Sequence, residues 1–210
     1  MARYTGPVCR LCRRDGTKLF LKGAKCFTEK CPVEKRNFPP GQHGQSKKVK
    51  KVVGYGLQLR EKQKAKRIYF TLETQFRAYY EKAANRTGVT GELLLQQLET
   101  RLDNVCYRLG FAMSRRQSRQ VVRHGHVQVN GRKVNIPSFQ CKVGDVIAIR
   151  EGSKQLGMLE VAKDFVSGQS RVQWLEVASD NLSGKVIALP KREDVNLPVN
   201  EQLIVELYSK

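Results

Sequence analysis

The sequence predicts an α+β protein, and three observations carry that prediction. Ser114 to Gly131 (SRRQSRQVVRHGHVQVNG) joins a short helix directly to a β-hairpin. Upstream, Leu72, Phe76, Tyr79, Tyr80 and Ala83, and then Leu94, Leu98, Leu102, Val105 and Leu109, recur at helical spacing. At the start, Cys9-x2-Cys12 and Cys26-x4-Cys31 have the spacing of a tetrahedral metal site, so a metal-bound knuckle precedes the helices.

Composition bounds the partners. The chain has 210 residues, 40% of them hydrophobic, enough for one or two domains with a proper core. A formal net charge of +20 calls for a polyanionic partner. The charge is uneven: residues 1–70 hold 19 Lys and Arg against 4 acids, residues 71–150 hold 13 against 6, and residues 151–210 hold 7 against 9. No stretch approaches the ~18 apolar residues of a spanning helix, and MARYTGPVCR lacks the hydrophobic region of a signal peptide. A cytoplasmic location is therefore expected, with no membrane partner, and the cysteines read as metal ligands or buried thiols rather than disulfides.

Taken in order, Cys9, Cys12, Cys26 and Cys31 are the candidate metal ligands. Four cysteines with no open position suit one structural Zn2+, while Cys31-Pro32 leaves an iron-sulfur cluster as the alternative. Arg3, Arg10, Arg13, Arg14 and Lys22 crowd this segment and are candidate RNA contacts. The loop Phe38-Pro-Pro-Gly-Gln-His-Gly44 has too many prolines and glycines for a helix, and its bare backbone, with Gln42 and His43, can lie against phosphates. Lys47, Lys48, Lys50 and Lys51 extend the basic surface, against the plainer reading of a solvated tether.

Tyr55 to Phe70 reads as a helix with Leu57, Leu59, Ala65 and Ile68 for packing. Tyr55, Arg60, Lys62, Lys64, Lys66 and Arg67 are its candidate RNA contacts. The aromatics of the stripe from Leu72 to Ala83 read as core. In the next stripe Arg101 and Arg108 lie on the polar side, where ordinary surface charge competes evenly with RNA contact.

Ser114 followed by Gln117 is a capping box that starts a helix, and Gly125 supplies the left-handed residue that ends it. Arg115, Arg119 and Arg123 recur at i, i+4 and i+8 with Arg116 beside them, so one side reads as cationic while Val121 and Val122 pack. Arg119→Ala is expected to weaken RNA binding without unfolding the protein. Asn130-Gly131 is a type I′ turn signal, and Ser114, His124, His126 and Asn130 complete the candidate contacts. Strands follow at 146–149, 173–177 and 185–189, a helix over 153–165, and a last helix after Pro198 with Leu203, Ile204 and Leu207 apolar. Trp174 reads as a core anchor, and Cys106 and Cys141 as small buried hydrophobes. Neither a phosphate-binding P-loop, nor H-E-x-x-H, nor G-x-S-x-G occurs, so no enzyme and no small-molecule substrate are expected. The rivals are an RNA-modifying or aminoacylating enzyme carrying the module as an appendage, and a zinc-containing DNA-binding regulator.

The unit around Ser114–Gly131 resembles the RNA-binding module shared by small-subunit ribosomal protein four, some pseudouridine synthases and some tyrosyl-tRNA synthetases. The flanks RYTGPVCRLCRRDG, PPGQHGQ, LREKQKAKRIY, RLDNVCYRLGFAMSRRQSRQVVRHGHVQVNG and REDVNLPVNEQLIVELYSK resemble the bacterial members of the ribosomal protein four family over essentially the whole chain. Its metal-binding branch is matched at Cys9, Cys12, Cys26 and Cys31. The resemblance implies a fold in which a helical domain, with an N-terminal metal-bound knuckle, takes an inserted RNA-binding module of helices packed on a small antiparallel sheet. On that basis residues 1–45 form the extension, 46–92 the helical domain completed by 182–210, and 93–181 the inserted α+β domain, with the module at about 99–164. It also implies a primary assembly protein that binds a helical junction in the 5′ domain of 16S rRNA and nucleates small-subunit assembly. The implied neighbours are ribosomal proteins three and five near the mRNA entry path, with an influence on translational accuracy. Repression of its own operon mRNA is a further role of some members.

Overall fold

The computed structural model describes residues 4–46, 52–168 and 172–209. Its helices are α1 (Val8–Asp15), α2 (Pro32–Lys35), α3 (Tyr55–Ile68), α4 (Glu73–Ala84), α5 (Thr90–Glu99), α6 (Leu102–Arg108), α7 (Arg115–Arg123), α8 (Gly157–Ser167) and α9 (Glu201–Tyr208). Its strands are β1 (Val127–Val129), β2 (Arg132–Lys133), β3 (Val146–Ile149), β4 (Leu175–Val177) and β5 (Ser183–Val186). The chain forms two compact units, Met1–Leu94 with Leu197–Lys210, and Leu95–Asn196.

In the first unit α1 ends at Gly16, whose φ of 66° is the left-handed geometry a helix stop favours. α3 buries Ala65 and Ile68, and α4 buries Phe76, Tyr79 and Ala83, as the apolar stripe requires. Leu72, expected in that stripe, is exposed, because it precedes the first turn of α4 as its N-cap. α9 starts at Asn200, whose side chain accepts from the Gln202 N–H. It packs by stacking Tyr208 on Tyr80 at 4.7 Å and on Phe76 at 6.3 Å. The chain entering α9 is tied to α3, since Lys64 Nζ donates to the Pro198 carbonyl at 3.2 Å and the Asn200 N–H donates to Glu61 Oε2 at 3.1 Å.

The second unit is an antiparallel sheet of order β2-β1-β3-β5-β4 covered by helices. Its core joins Leu102 and Val105 of α6 and the C-cap Leu109 to Val121 and Val122 of α7, to Val127, Ile147 and Ile149 of the sheet, and to Trp174. Cys106 and Cys141 lie in the same core as small apolar groups. Gly184 of β5 sits where a Cβ would stand 2.4 Å from Leu109 Cδ2 and 2.8 Å from the Glu176 carbonyl, so only glycine lets α6 approach the sheet here.

The stripe Leu94–Leu109 is not one helix. Arg101 is extended, with φ −65° and ψ 138°, and caps α6 while Thr100 Oγ1 donates back to the Gln96 carbonyl at 2.8 Å. The break swings the chain so that Arg101 bridges to Gln140. Residues Glu151–Ser153 form a 3₁₀ turn, and α8 begins only at Gly157. The last hairpin pairs Leu175 with Val186, earlier than the expected 185–189. Its strand β5 pairs with β3, which carries the second unit past residue 181 to Asn196.

Candidate nucleic-acid interface

The four N-terminal cysteines come from three short elements. α1 carries Cys9 and Cys12, a 3₁₀ turn ends at Cys26, and Cys31 caps α2. Cys12, Cys26 and Cys31 are buried and Cys9 half-buried. Burial, with the other three thiols nearby, pushes the Cys12 thiol up to about 11 against a backbone hydrogen bond from Leu19. Burial likewise raises Cys26, whose sulfur accepts from the Lys22 N–H at 3.4 Å. Four neighbouring thiols, two of them met by backbone N–H groups, are a donor set suited to zinc. Among the described residues, however, no three or more His, Cys, Asp or Glu side chains stand in an arrangement ready to hold a metal ion. Thiols must lose their protons before they close on a cation.

Behind this segment Arg13 acts as a clasp. Its Nε donates to the carbonyls of Arg36 and Phe38, both at 3.1 Å, and its guanidinium lies 4.8 Å from the Phe38 ring centre. Arg13 is thus turned to its own chain, because the proline-rich loop has few N–H groups with which to brace itself. Arg10, Arg14, Lys22, Gln42 and His43 are exposed as an anion contact requires. Arg3, Lys47, Lys48, Lys50 and Lys51 lie outside the described residues.

Much of the basic charge of α3 is neutralised within the unit. Arg67 and Arg60 hold Asp15 at 2.6 and 3.3 Å. Lys62 and Lys66 hold Glu73 at 2.6 and 2.9 Å, and Tyr208 Oη donates to the same carboxylate at 2.8 Å. These three donors overcome the cost of burial and bring Glu73 down to about 2. Lys64 pairs with Glu61 at 2.5 Å. Lys62 is buried, so the expectation that it faces RNA is corrected, while Tyr55 at the helix start is 61% exposed. Helical spacing shows that the basic residues surround α3, and it cannot show that Asp15 and Glu73 arrive from other elements.

The same holds more strongly in the second unit. Arg101 grips Asp103 with two bonds of 3.0 and 2.7 Å, and Arg119 Nη1 donates to the same carboxylate at 3.0 Å. Arg108 grips Glu99 with two bonds of 3.0 Å. Arg115 Nε donates to Asn104 Oδ1 at 2.7 Å and its guanidinium lies 4.6 Å from the Tyr107 ring centre. Asn104 Nδ2 donates to Glu99 Oε2 at 2.7 Å, linking Arg115 to the Glu99–Arg108 pair. Arg101, Arg115 and Arg119 are 0%, 7% and 5% exposed, so they are corrected from RNA contacts to members of a buried network. Ser114 is also buried, its Oγ accepting from the Gln117 N–H at 3.3 Å as the helix cap. The reason is that Val121, Val122 and Ser118 anchor α7 from one side, and the i, i+4 row of Arg115 and Arg119 borders that side rather than opposing it.

What α7 and the hairpin present outward is a different set. Arg123 and His124 are exposed, and Arg116 is half-buried. His126 lies 6.0 Å from His124 ring to ring, with Nδ1 2.9 Å from Ser153 Oγ. Burial, then His124, Arg150 and Lys133, hold the His126 pKa below the usual histidine value. Asn130 and Gly131, with φ of 49° and 78°, form the expected turn. The Asn130 side chain serves that turn, donating to Asp145 Oδ1 and accepting from the Val146 N–H, each at 2.9 Å. Arg132, Lys133 and Arg150 are exposed cations that the sequence reading omitted. Lys133 was within reach of that reading, since the Asn130-Gly131 turn fixes it opposite Gln128. Arg150 was not, because only the pairing of β1 with β3 brings it to Gly125, whose carbonyl it approaches at 3.4 Å.

Residues 3–99 match the family model described as the ribosomal protein S4/S9 N-terminal domain, and residues 100–147 match the S4 domain. The class so defined is a ribosomal protein that combines a helical N-terminal region with an S4 module. Over 210 residues, covering 100% of both chains, this chain is 75% identical to small ribosomal subunit protein uS4 of Acidobacterium capsulatum. It is 66% identical to that of Koribacter versatilis and 60% identical to that of Acetivibrio thermocellus, again over 100% of both chains. The chain belongs to the small ribosomal subunit protein uS4 family. Among the described residues no helix is long and apolar enough to cross a membrane.

Proposed function

We propose that this protein is a primary assembly protein that binds a helical junction in the 5′ domain of small-subunit rRNA. As a member of its family it is a structural constituent of the small ribosomal subunit and not an enzyme. The observation that carries the finer reading is the outward cationic set: Arg10, Arg14 and Lys22, with His43 beside them, in the first unit, and Arg116, Arg123, Arg132, Lys133 and Arg150 in the second. These side chains sit on short helices, turns and strand ends, while neighbouring arginines and carboxylates are paired with one another. Such a surface suits phosphate contacts that recognise the shape of folded RNA. If about 6 to 10 phosphates are neutralised, affinity falls by roughly 10³- to 10⁵-fold between about 50 and 200 mM salt. Titration of a 5′-domain rRNA fragment against salt, with duplex DNA as competitor, tests this. A flat salt response, or preference for the duplex, contradicts it.

The same proposal assigns Cys9, Cys12, Cys26 and Cys31 to one structural Zn2+. When bound, the ion supplies a cross-link among α1, the turn at Cys26 and the cap of α2. The chain's own part is to bury three of the thiols and aim the Lys22 N–H at one sulfur. Metal analysis after anaerobic purification separates zinc from an iron-sulfur cluster. Ribosomal proteins three and five are the proposed neighbours, and the acid-rich residues 151–210 support a protein-facing role for that segment.

A further inference from the structure

The loop Phe38–Gly44 is braced from behind and open in front. Arg13 holds the carbonyls on one side. Gly44 folds so close to the Pro39 carbonyl that a Cβ would stand 1.9 Å from its oxygen, and Gly41 takes a φ of 109° with nothing near its own Cβ position. This is a fixed loop, and glycine is required at both positions.

In front of it lies a cavity of about 630 Å³ bounded by Arg14, Arg60, His43, Pro39, Pro40 and Val52. Its volume falls within the roughly 300 to 1,000 Å³ typical of small-ligand sites. Its lining combines the guanidinium-bearing Arg14 and Arg60 with the apolar side chains of Pro39, Pro40 and Val52. Asp15 also borders the cavity, yet both its carboxylate oxygens accept from guanidinium groups, Arg60 at 3.3 Å and Arg67 at 2.6 Å. Arg60 is itself fixed, donating to the Arg14 carbonyl at 3.0 Å. Arg14 and His43, both in the lining, are exposed.

We infer that this cavity seats one unstacked ribonucleotide of the bound RNA. The phosphate lies against Arg14, Arg60 and His43, and the base lies on Pro39, Pro40 and Val52. The inference rests on the RNA-binding reading and adds to shape recognition a single extruded residue, because an anion alone would not use the apolar side chains. A helical phosphate backbone places its bases inward and leaves such side chains uncovered.

The test uses the full-length protein and the four nucleoside 5′-monophosphates, followed by the amide signals of Gly41 and Gly44 and the ring signals of His43. Saturable shifts are expected with at least one monophosphate, at about one-tenth the concentration needed for inorganic phosphate. Arg14→Ala should raise the dissociation constant about tenfold without changing the fold, since Arg60 bonds the Arg14 carbonyl and not its side chain. Equal response to phosphate and monophosphate overturns the inference, leaving a mere anion seat, and so does the absence of shifts. A wild-type protein that binds the rRNA fragment while ignoring monophosphates loses the cavity and keeps the RNA-binding reading. Failure to bind the fragment sinks that reading, whatever the monophosphates do.

Discussion

The two units each surround carboxylates with basic side chains, but the basic groups themselves lie at different depths. In the first, Arg60 and Arg67 keep 29% and 24% of their side chains exposed around an Asp15 carboxylate that keeps only 1%, and Glu73, between Lys62 and Lys66, keeps 44%. In the second, Arg101 and Asp103 keep 0% and 6%, and Arg119 keeps 6%. Solvent reaches Arg60, Arg67 and Glu73 in the first set, so guanidinium groups that lose Asp15 stay partly hydrated. Removing a carboxylate from the second strands a desolvated guanidinium. The contrast teaches that arginine on a basic helix has two uses. One builds the scaffold, and the other is left for the ligand.

The largest expected effect is therefore Asp103→Ala, which should lower the stability of the second unit by about 3 to 5 kcal/mol. Trp174, the sole tryptophan and 2% exposed in that core, reports the urea midpoint. Asp15→Ala should cost the first unit less, about 1 to 3 kcal/mol, read from tyrosine signals in the same titration. Equal losses would erase the distinction between the units.

Next in size is Arg123→Ala. Its midpoint should match the wild type, while the slope of log affinity against log salt becomes shallower by about one. A lowered midpoint with unchanged slope would place Arg123 in the scaffold instead. Chelation, or Cys26→Ser, should accelerate amide exchange across residues 4–46 and leave the Trp174 transition in place. Collapse of that transition would make the knuckle part of the second unit's stability.

The smallest effect concerns pH. Glu73 is lowered from its ordinary value of 4.5 to about 2 in the folded protein. Its contribution is thus complete above about pH 4.5 and is lost as pH falls toward 2. Glu73→Gln should flatten the acid dependence of the first unit's urea midpoint over that range. Because the carboxylate is nearly half exposed, the change is modest.

Local signals in the sequence suffice where one element decides the outcome. The Ser114 cap, the stop at Gly125 and the Asn130-Gly131 turn depend on a few neighbouring residues, and the stripe through Phe76, Tyr79 and Ala83 depends on one helix face. The destination of charge was not legible in the same way. Helical spacing gathers Arg115, Arg119 and Arg123 on one side, yet Asp103 and Asn104 from α6 turn the first two inward and leave the third in water. The break at Arg101 was hidden for a related reason, since its partner Gln140 lies far along the chain. Tertiary pairing decided which basic residues remained available to RNA.

That division is tested most directly by the Trp174 urea midpoint of Arg119→Ala against wild type. Loss of a buried partner of Asp103, which keeps its two bonds from Arg101, predicts a clear fall, equivalent to about 1 to 3 kcal/mol. A wild-type midpoint accompanied by weaker rRNA binding would contradict it, and would return Arg119 to the RNA-facing side that helix spacing alone suggests.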